Sequence, residues 1–235
     1  MNFVMKLDFT NKNLYPLFEL FGEKLYITET MVSTWIVMGV LILLAIVVRI
    51  MLPRFKEVPT GFQNVIEFLV DTMDSFAISN MGPKMESLGG VFFGIFAFIL
   101  LSNLSGLWYR RPPTADLSVT AALAAIAFVL IHGSGIINRR IRYLDTYFSP
   151  NPVLFPINLI GEISKPISLC FRLLGNMMGG YIIIQMVYGM LPTLLQLVWP
   201  AVLHGYFDIF AGSLQAFIFT ILTMTFISEQ VSPAE

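Results

Sequence analysis

The chain has 235 residues, 56% of them hydrophobic and only 12% charged, with a formal net charge of −1. A water-soluble domain of this size carries about a quarter of its residues as Asp, Glu, Lys and Arg, so the composition excludes one and predicts a polytopic membrane protein. No basic patch with interleaved aromatics points to nucleic acid, and the single cysteine, Cys170, excludes a disulfide framework and a cysteine-built metal site.

Residues 1–30 read as an amphipathic lead-in carrying Lys6, Asp8, Lys12, Glu19, Glu23, Lys24 and Glu29. They lack the basic start and short apolar run of a signal peptide, so the first hydrophobic segment is expected to be a retained anchor. That segment, 31–52, is long enough to cross the hydrocarbon. Arg49, Arg54 and Lys56 cluster at its end, which the positive-inside rule makes cytoplasmic. Residues 61–76 place Phe62, Val65, Ile66, Leu69 and Val70 on one helical face with acids on the other, the pattern of a helix lying in the interface. A second span covers 88–108, closed by Trp108 and Tyr109 as aromatic-belt residues and by Arg110, Arg111, Pro112 and Pro113. Asp116 opens a third span, 117–137, where the helix macrodipole favours a carboxylate. Arg139, Arg140 and Arg142 follow and again mark a cytoplasmic loop.

Two longer apolar stretches complete the chain, 157–191 and 194–227. Each would reach roughly 50 Å as a helix, well beyond a ~30 Å core. Such helices must tilt, kink or break, and Pro166 and Pro200 are candidate bends. The expected fold is an all-α membrane protein, a single membrane domain of about five crossings plus one interfacial helix. The N-terminus is expected outside and the C-terminus inside.

Arg172 stands in the middle of the fourth apolar stretch. An intramembrane arginine costs roughly 2.5–3.5 kcal/mol on insertion scales, so it marks a functional site facing a protein or water-filled cavity. The alternative, an arginine that snorkels to the interface, sits poorly with the long apolar sequence on both sides. At about 100° per residue, Arg172, Asn176 and Gly179 share a face. Tyr181 lies half a turn away, with Gln185 and Tyr188. On the last helix His204, Asp208, Gly212 and Gln215 form a stripe. Intramembrane Asp, Glu and His mark ion or proton paths. The blander readings are that Gly175 and Gly179 form a packing motif, that Tyr181 is a packed aromatic, and that His204 lines a polar interior. A metal site at His204 is disfavoured because no second histidine or cysteine stands at ligand spacing. Asp208 needs a partner or water.

These residues resemble subunit a of the bacterial-type F-type ATP synthases. The resemblance rests on Ser164-Lys-Pro-Ile-Ser-Leu-Cys-Phe-Arg172-Leu-Leu-Gly-Asn176, a highly specific match. It is supported by Gly61-Phe-Gln63-Asn64-Val-Ile-Glu67, Ser102-Asn103-Leu104, Thr114-Ala-Asp116-Leu-Ser-Val-Thr120 and Leu214-Gln215-Ala216-Phe217-Ile218-Phe219, and it covers residue 55 to the end. It implies that the last two helices form a tilted hairpin against a ring of c subunits, with two aqueous half-channels ending at the ring carboxylates. Arg172 then matches the arginine between the half-channels, Asn176 and Gln215 the polar residues beside it, and Glu162 a carboxylate of the cytoplasmic half-channel. Many relatives carry a glutamate where this chain has Tyr181. Asp208 is read as the relocated inlet acid, with His204 and Tyr181 nearby, and Asp116 completes the candidate ion-translocation residues. The resemblance further implies peripheral-stalk b subunits and other synthase subunits as partners, membrane lipid around the chain, no cofactor and no covalent chemistry of its own. It implies the bacterial plasma membrane, or alternatively an organellar energy-coupling membrane. The coupling ion is expected to be H⁺, with Na⁺ as the alternative. An independent secondary transporter is a rival of another class, but the paired halves it needs are not found. A purely structural scaffold leaves Arg172 and Asp208 without a reason.

Overall fold

The computed structural model describes residues 13–20, 23–56, 61–108, 111–143, 153, 155–192 and 199–231. Residues 1–12 of the lead-in, Tyr109, Arg110, loop 149–152 and the expected start of the last span at Leu194 lie outside these. The rest of the lead-in holds an element the sequence reading did not name. Strand β1 (Asn13–Leu20) pairs antiparallel with β2 (Glu23–Thr28). Its signal was available in the Leu, Tyr, Phe and Ile residues that flank Gly22.

Among the described residues, five helical segments are long and apolar enough to cross a membrane. Thr28 ends β2 and caps α1 (Glu29–Met51), accepting from the Met31 N–H, and Pro53 follows its end. Only Thr30, Ser33 and Val37 of α1 are buried, so it stands at the edge of the bundle. The interfacial helix α2 (Phe62–Met81) is longer than expected. Gln63 fixes its start by accepting from the Lys56 N–H at 3.0 Å and donating to the Lys56 carbonyl at 2.7 Å. Gly82 ends it at φ 84°, a conformation that favours glycine. Helix α3 (Gly89–Leu104) continues as a 3₁₀ turn to Trp108, and α4 spans Leu117–Arg139. Then come the 36-residue α5 (Phe155–Met190), the short α6 (Trp199–His204) and α7 (Gly212–Val231).

The proline expectation for the last helix needs correction. Pro200 lies within the described part of α6, which runs on as helix through His204. The irregularity falls instead at Gly205–Ala211, a π-helical turn between α6 and α7. Pro166 lies within α5, which is assigned as one helix from end to end.

The core forms where α3, α4, α5 and α7 meet. Ile99, Leu123, Ala127, Leu169, Leu173 and Phe219 make one cluster, and Phe92, Ile131, Met224 and Ile227 with α2 residues Ala77 and Met81 make another. A buried polar clamp crosses this packing. The Asn103 amide donates to the Gly212 carbonyl at 2.8 Å and accepts from the Thr114 hydroxyl at 2.6 Å. A Cβ on Gly212 would come within 2.9 Å of the Asn103 Cβ, so the close approach of α3 and α7 requires glycine there.

Candidate functional site

Arg172 lies at the midpoint of α5, and the helix buries an adjoining side, through Leu169, Cys170, Leu173 and Met177. Arg172 itself is exposed and makes no ion pair among the described residues. Exposed apolar side chains accompany it on both helices, among them Phe171 and Ile183 on α5 and Ile209 and Phe210 on the last helical rod. Beside it Asn176 donates to the Gln215 side-chain carbonyl at 3.4 Å, a long bond. Gln215 is 4% exposed, and its amide nitrogen is buried without a partner.

Toward the Pro112 end of the bundle, about two and a half to four and a half turns past Arg172, the expected second group assembles. Tyr181, Gln185 and Tyr188 of α5 face His204 and Asp208, with Gly106 and Pro112 closing a cavity of about 20 Å³. That is room for about one water. His204 Nδ1 lies 2.5 Å from Asp208 Oδ2, an i,i+4 pair spanning the entrance to the π-turn. Asp208 is only 4% exposed, so its carboxylate depends on this contact and the cavity. Gly106 permits the geometry, because a Cβ there would sit 2.9 Å from the Asp208 carboxyl group. The Arg111 guanidinium lies 5.7 Å from the centre of the Tyr181 ring and donates to the Ala115 carbonyl. Periodicity alone did not reveal Arg111, since it belongs to the loop before α4.

At the opposite end Glu162 joins a second polar group. Lys165 bridges Glu162 at 2.9 Å and Glu229 at 3.1 Å, and the Gln230 amide donates to Glu162 Oε1 at 2.9 Å. Glu162 Oε2 and Gln230 Oε1 are buried with no partner, which calls for water or a proton at that spot. His132 of α4, bonded to the Tyr143 hydroxyl, is within electrostatic reach of Glu162 and Lys165. Sequence reasoning missed Lys165, Glu229, Gln230 and His132. The i,i+3 spacing of Glu162 and Lys165 was a usable signal, but the link to Glu229 joins residues 64 apart and only folding creates it.

Asp116 lies at the start of α4, next to Ala115, whose carbonyl accepts from Arg111. One carboxylate oxygen accepts from the Ser118 N–H at 2.9 Å and caps α4, as the sequence position suggested. The other accepts from the Thr30 hydroxyl at 2.7 Å and ties α1 to α4.

Along α5, Glu162 precedes Arg172 by roughly 15 Å and Tyr181 follows it by roughly 13 Å. Among the described residues, polar groups thus lie toward both ends of α5 with the exposed Arg172 between them, in a multi-pass helical membrane protein. The family model described as ATP synthase A chain matches residues 31–228. ATP synthase subunit a of Moorella thermoacetica is 36% identical over 87% of this chain and 91% of that protein. The Trichlorobacter lovleyi subunit a is 34% identical over 88% of each. A subunit a of Propionigenium modestum named as sodium ion specific is 33% identical over 89% of this chain and 76% of that one. The chain belongs to the ATP synthase A chain family, the non-catalytic, ion-translocating component of the synthase membrane sector. It is a multi-pass protein of the bacterial plasma membrane.

Proposed function

We propose that this chain moves protons between two aqueous half-channels and a ring of c subunits that turns against α5 and the last helical rod. The observation that carries the reading is the position of Arg172, exposed at the centre of an apolar face and flanked along α5 by the Glu162 and Asp208 groups. A ring helix carrying one carboxylate fits this face: apolar surface lies against apolar surface, and the guanidinium, charged at every working pH, meets the carboxylate. The same charge stops a cation crossing directly from one polar group to the other. The b subunits of the stalk and other synthase subunits complete the assembly.

The positive-inside rule assigns the Arg49 and Arg139 ends to the cytoplasm. The cavity holding His204 and Asp208 then opens outward, and the Glu162 group opens inward. Asp208 takes the role of the inlet acid, with Tyr181 as a wall rather than a titrating group. Protons are favoured over Na⁺ because the buried Asp208 carboxylate is already engaged by an imidazole nitrogen at 2.5 Å. Imidazole relays protons, whereas hard cations seek oxygen ligands.

The test is ATP-driven transport in inverted membrane vesicles. Acidification is expected without added Na⁺ and is expected to vanish in Arg172→Ala while the complex still assembles. Transport of ²²Na⁺ that persists with a protonophore, together with no acidification in Na⁺-free buffer, would replace H⁺ by Na⁺. Normal coupling in assembled Arg172→Ala would overturn the role given to the arginine.

A further inference from the structure

A groove of about 580 Å³ opens among α1, α2 and α3, remote from the polar groups of the hairpin. Leu44 and Val48 of α1, Ile66 and Leu69 of α2, and Phe96 and Ala97 of α3 line it, and its walls are almost wholly apolar. The one charged residue in the lining is Arg49, in the last turn of α1. Arg49 is exposed and has no ion-pair partner among the described residues. Arg54, also exposed, follows one turn beyond. The acids of α2 do not neutralise the mouth. At about 100° per residue, Glu67, Asp71 and Asp74 fall on the flank of α2 away from Ile66 and Leu69.

We infer that this groove is a binding site for an anionic phospholipid of the cytoplasmic leaflet, with an acyl chain between the three helices and the phosphate on Arg49. The occupant must be apolar along its length and anionic at one end. From Leu41, the deepest α1 residue of the lining, to Arg49 the groove runs roughly 12 Å along the helix. Its volume lies within the range of about 300–1,000 Å³ typical of ligand sites. Basic pockets between membrane helices on the cytoplasmic side suit anionic headgroups.

The experiment uses the intact synthase in nanodiscs of phosphatidylcholine. These contain a minor fraction of either phosphatidylglycerol or phosphatidylcholine with a photoreactive diazirine in the acyl chain. Crosslinked peptides are identified by mass spectrometry. Crosslinks are expected to concentrate on Leu69 and Ala97 rather than on the exposed Ile126 and Val129 of α4. Phosphatidylglycerol is expected to exceed phosphatidylcholine by about fivefold, the preference one surface cation confers. Arg49→Gln, an exposed substitution that leaves the packing intact, should remove the preference while groove crosslinks persist. Leu44→Trp, which narrows the groove, should lower groove crosslinking by both lipids. Equal labelling of the groove and of α4 would overturn the site. A headgroup preference unchanged in Arg49→Gln would overturn the role of the arginine. Groove crosslinks present in the isolated chain and absent from the synthase would show a protein partner there instead of lipid.

Discussion

Asp208 and Tyr181 share one cavity, and their chemistry separates them. Tyrosine has a reference pKa near about 10 and stays protonated at neutral pH, so it exchanges protons poorly with water. Asp208 is a carboxylate buried against His204 at 2.5 Å, beside a cavity with room for about one water, so it is the group proposed to exchange protons there. Asp208→Asn is expected to slow ATP-driven proton pumping by about a hundredfold, the lower end of what a positioned proton-transfer group contributes. Tyr181→Phe should retain most of the activity. Tyr181→Glu should partly restore Asp208→Asn, since its carboxylate would enter the same cavity from α5. Pumping in inverted vesicles, with assembly checked by blot, decides it, and full pumping by Asp208→Asn would remove Asp208 from the path. Arg172→Lys should couple poorly too, because a compact ammonium is not held permanently charged as a guanidinium is.

The π-helical turn Gly205–Ala211 matters at the scale of elements. Such turns insert one residue into a helix and occur mostly at functional sites. Here the turn carries Asp208 between two glycine contacts. Gly106 admits the Asp208 carboxylate, and Gly180 of α5 admits the Phe207 ring, which would lie 2.9 Å from an added Cβ. Gly106→Ala is therefore expected to displace Asp208 and lower pumping severalfold in an assembled complex. Gly133→Ala is the control, because nothing lies within 4 Å of a Cβ at that α4 position. It should be neutral or stabilising by about 0.5–1 kcal/mol, as alanine is in a helix. Pumping rate and thermal stability in detergent separate the two, and equal pumping by both variants would detach the glycine contact from transport.

For the whole molecule, the crossings set which side each polar group faces. With five spans and arginine-rich ends at 49–56 and 139–142, the positive-inside rule predicts the N-terminus outside and the C-terminus inside. Single cysteines at Ser118 and Asn138, in a Cys170→Ser background, mark the two ends of α4. They are expected to react with a membrane-impermeant maleimide from opposite sides, Ser118 in intact cells and Asn138 only in inverted vesicles. Labelling of both from one side would reverse the half-channels or remove a span. Cys170 is buried and bonds the Thr120 hydroxyl at 3.5 Å, so its replacement by serine keeps a donor in place.

The sequence by itself determined the crossings, the interfacial helix and the identity of Arg172. Bilayer thickness sets helix length, and the cost of a buried charge makes one arginine in an apolar run conspicuous. It also determined the Asp116 cap, since a cap is a local bond over two residues. Only the tertiary structure decided that Asp116 also holds Thr30, that Glu162 meets Glu229 and Gln230 through Lys165 and directly, and that Asn103 clamps Gly212. Each of those contacts joins residues far apart in the chain, where periodicity carries no information about the partner. The π-turn was likewise illegible, because helical residues 205–211 have no composition that distinguishes one added residue per turn. Packing of Asp208 against Gly106 and of Phe207 against Gly180 defines where that turn sits, and those distances exist only once α3, α5 and the last rod are in contact.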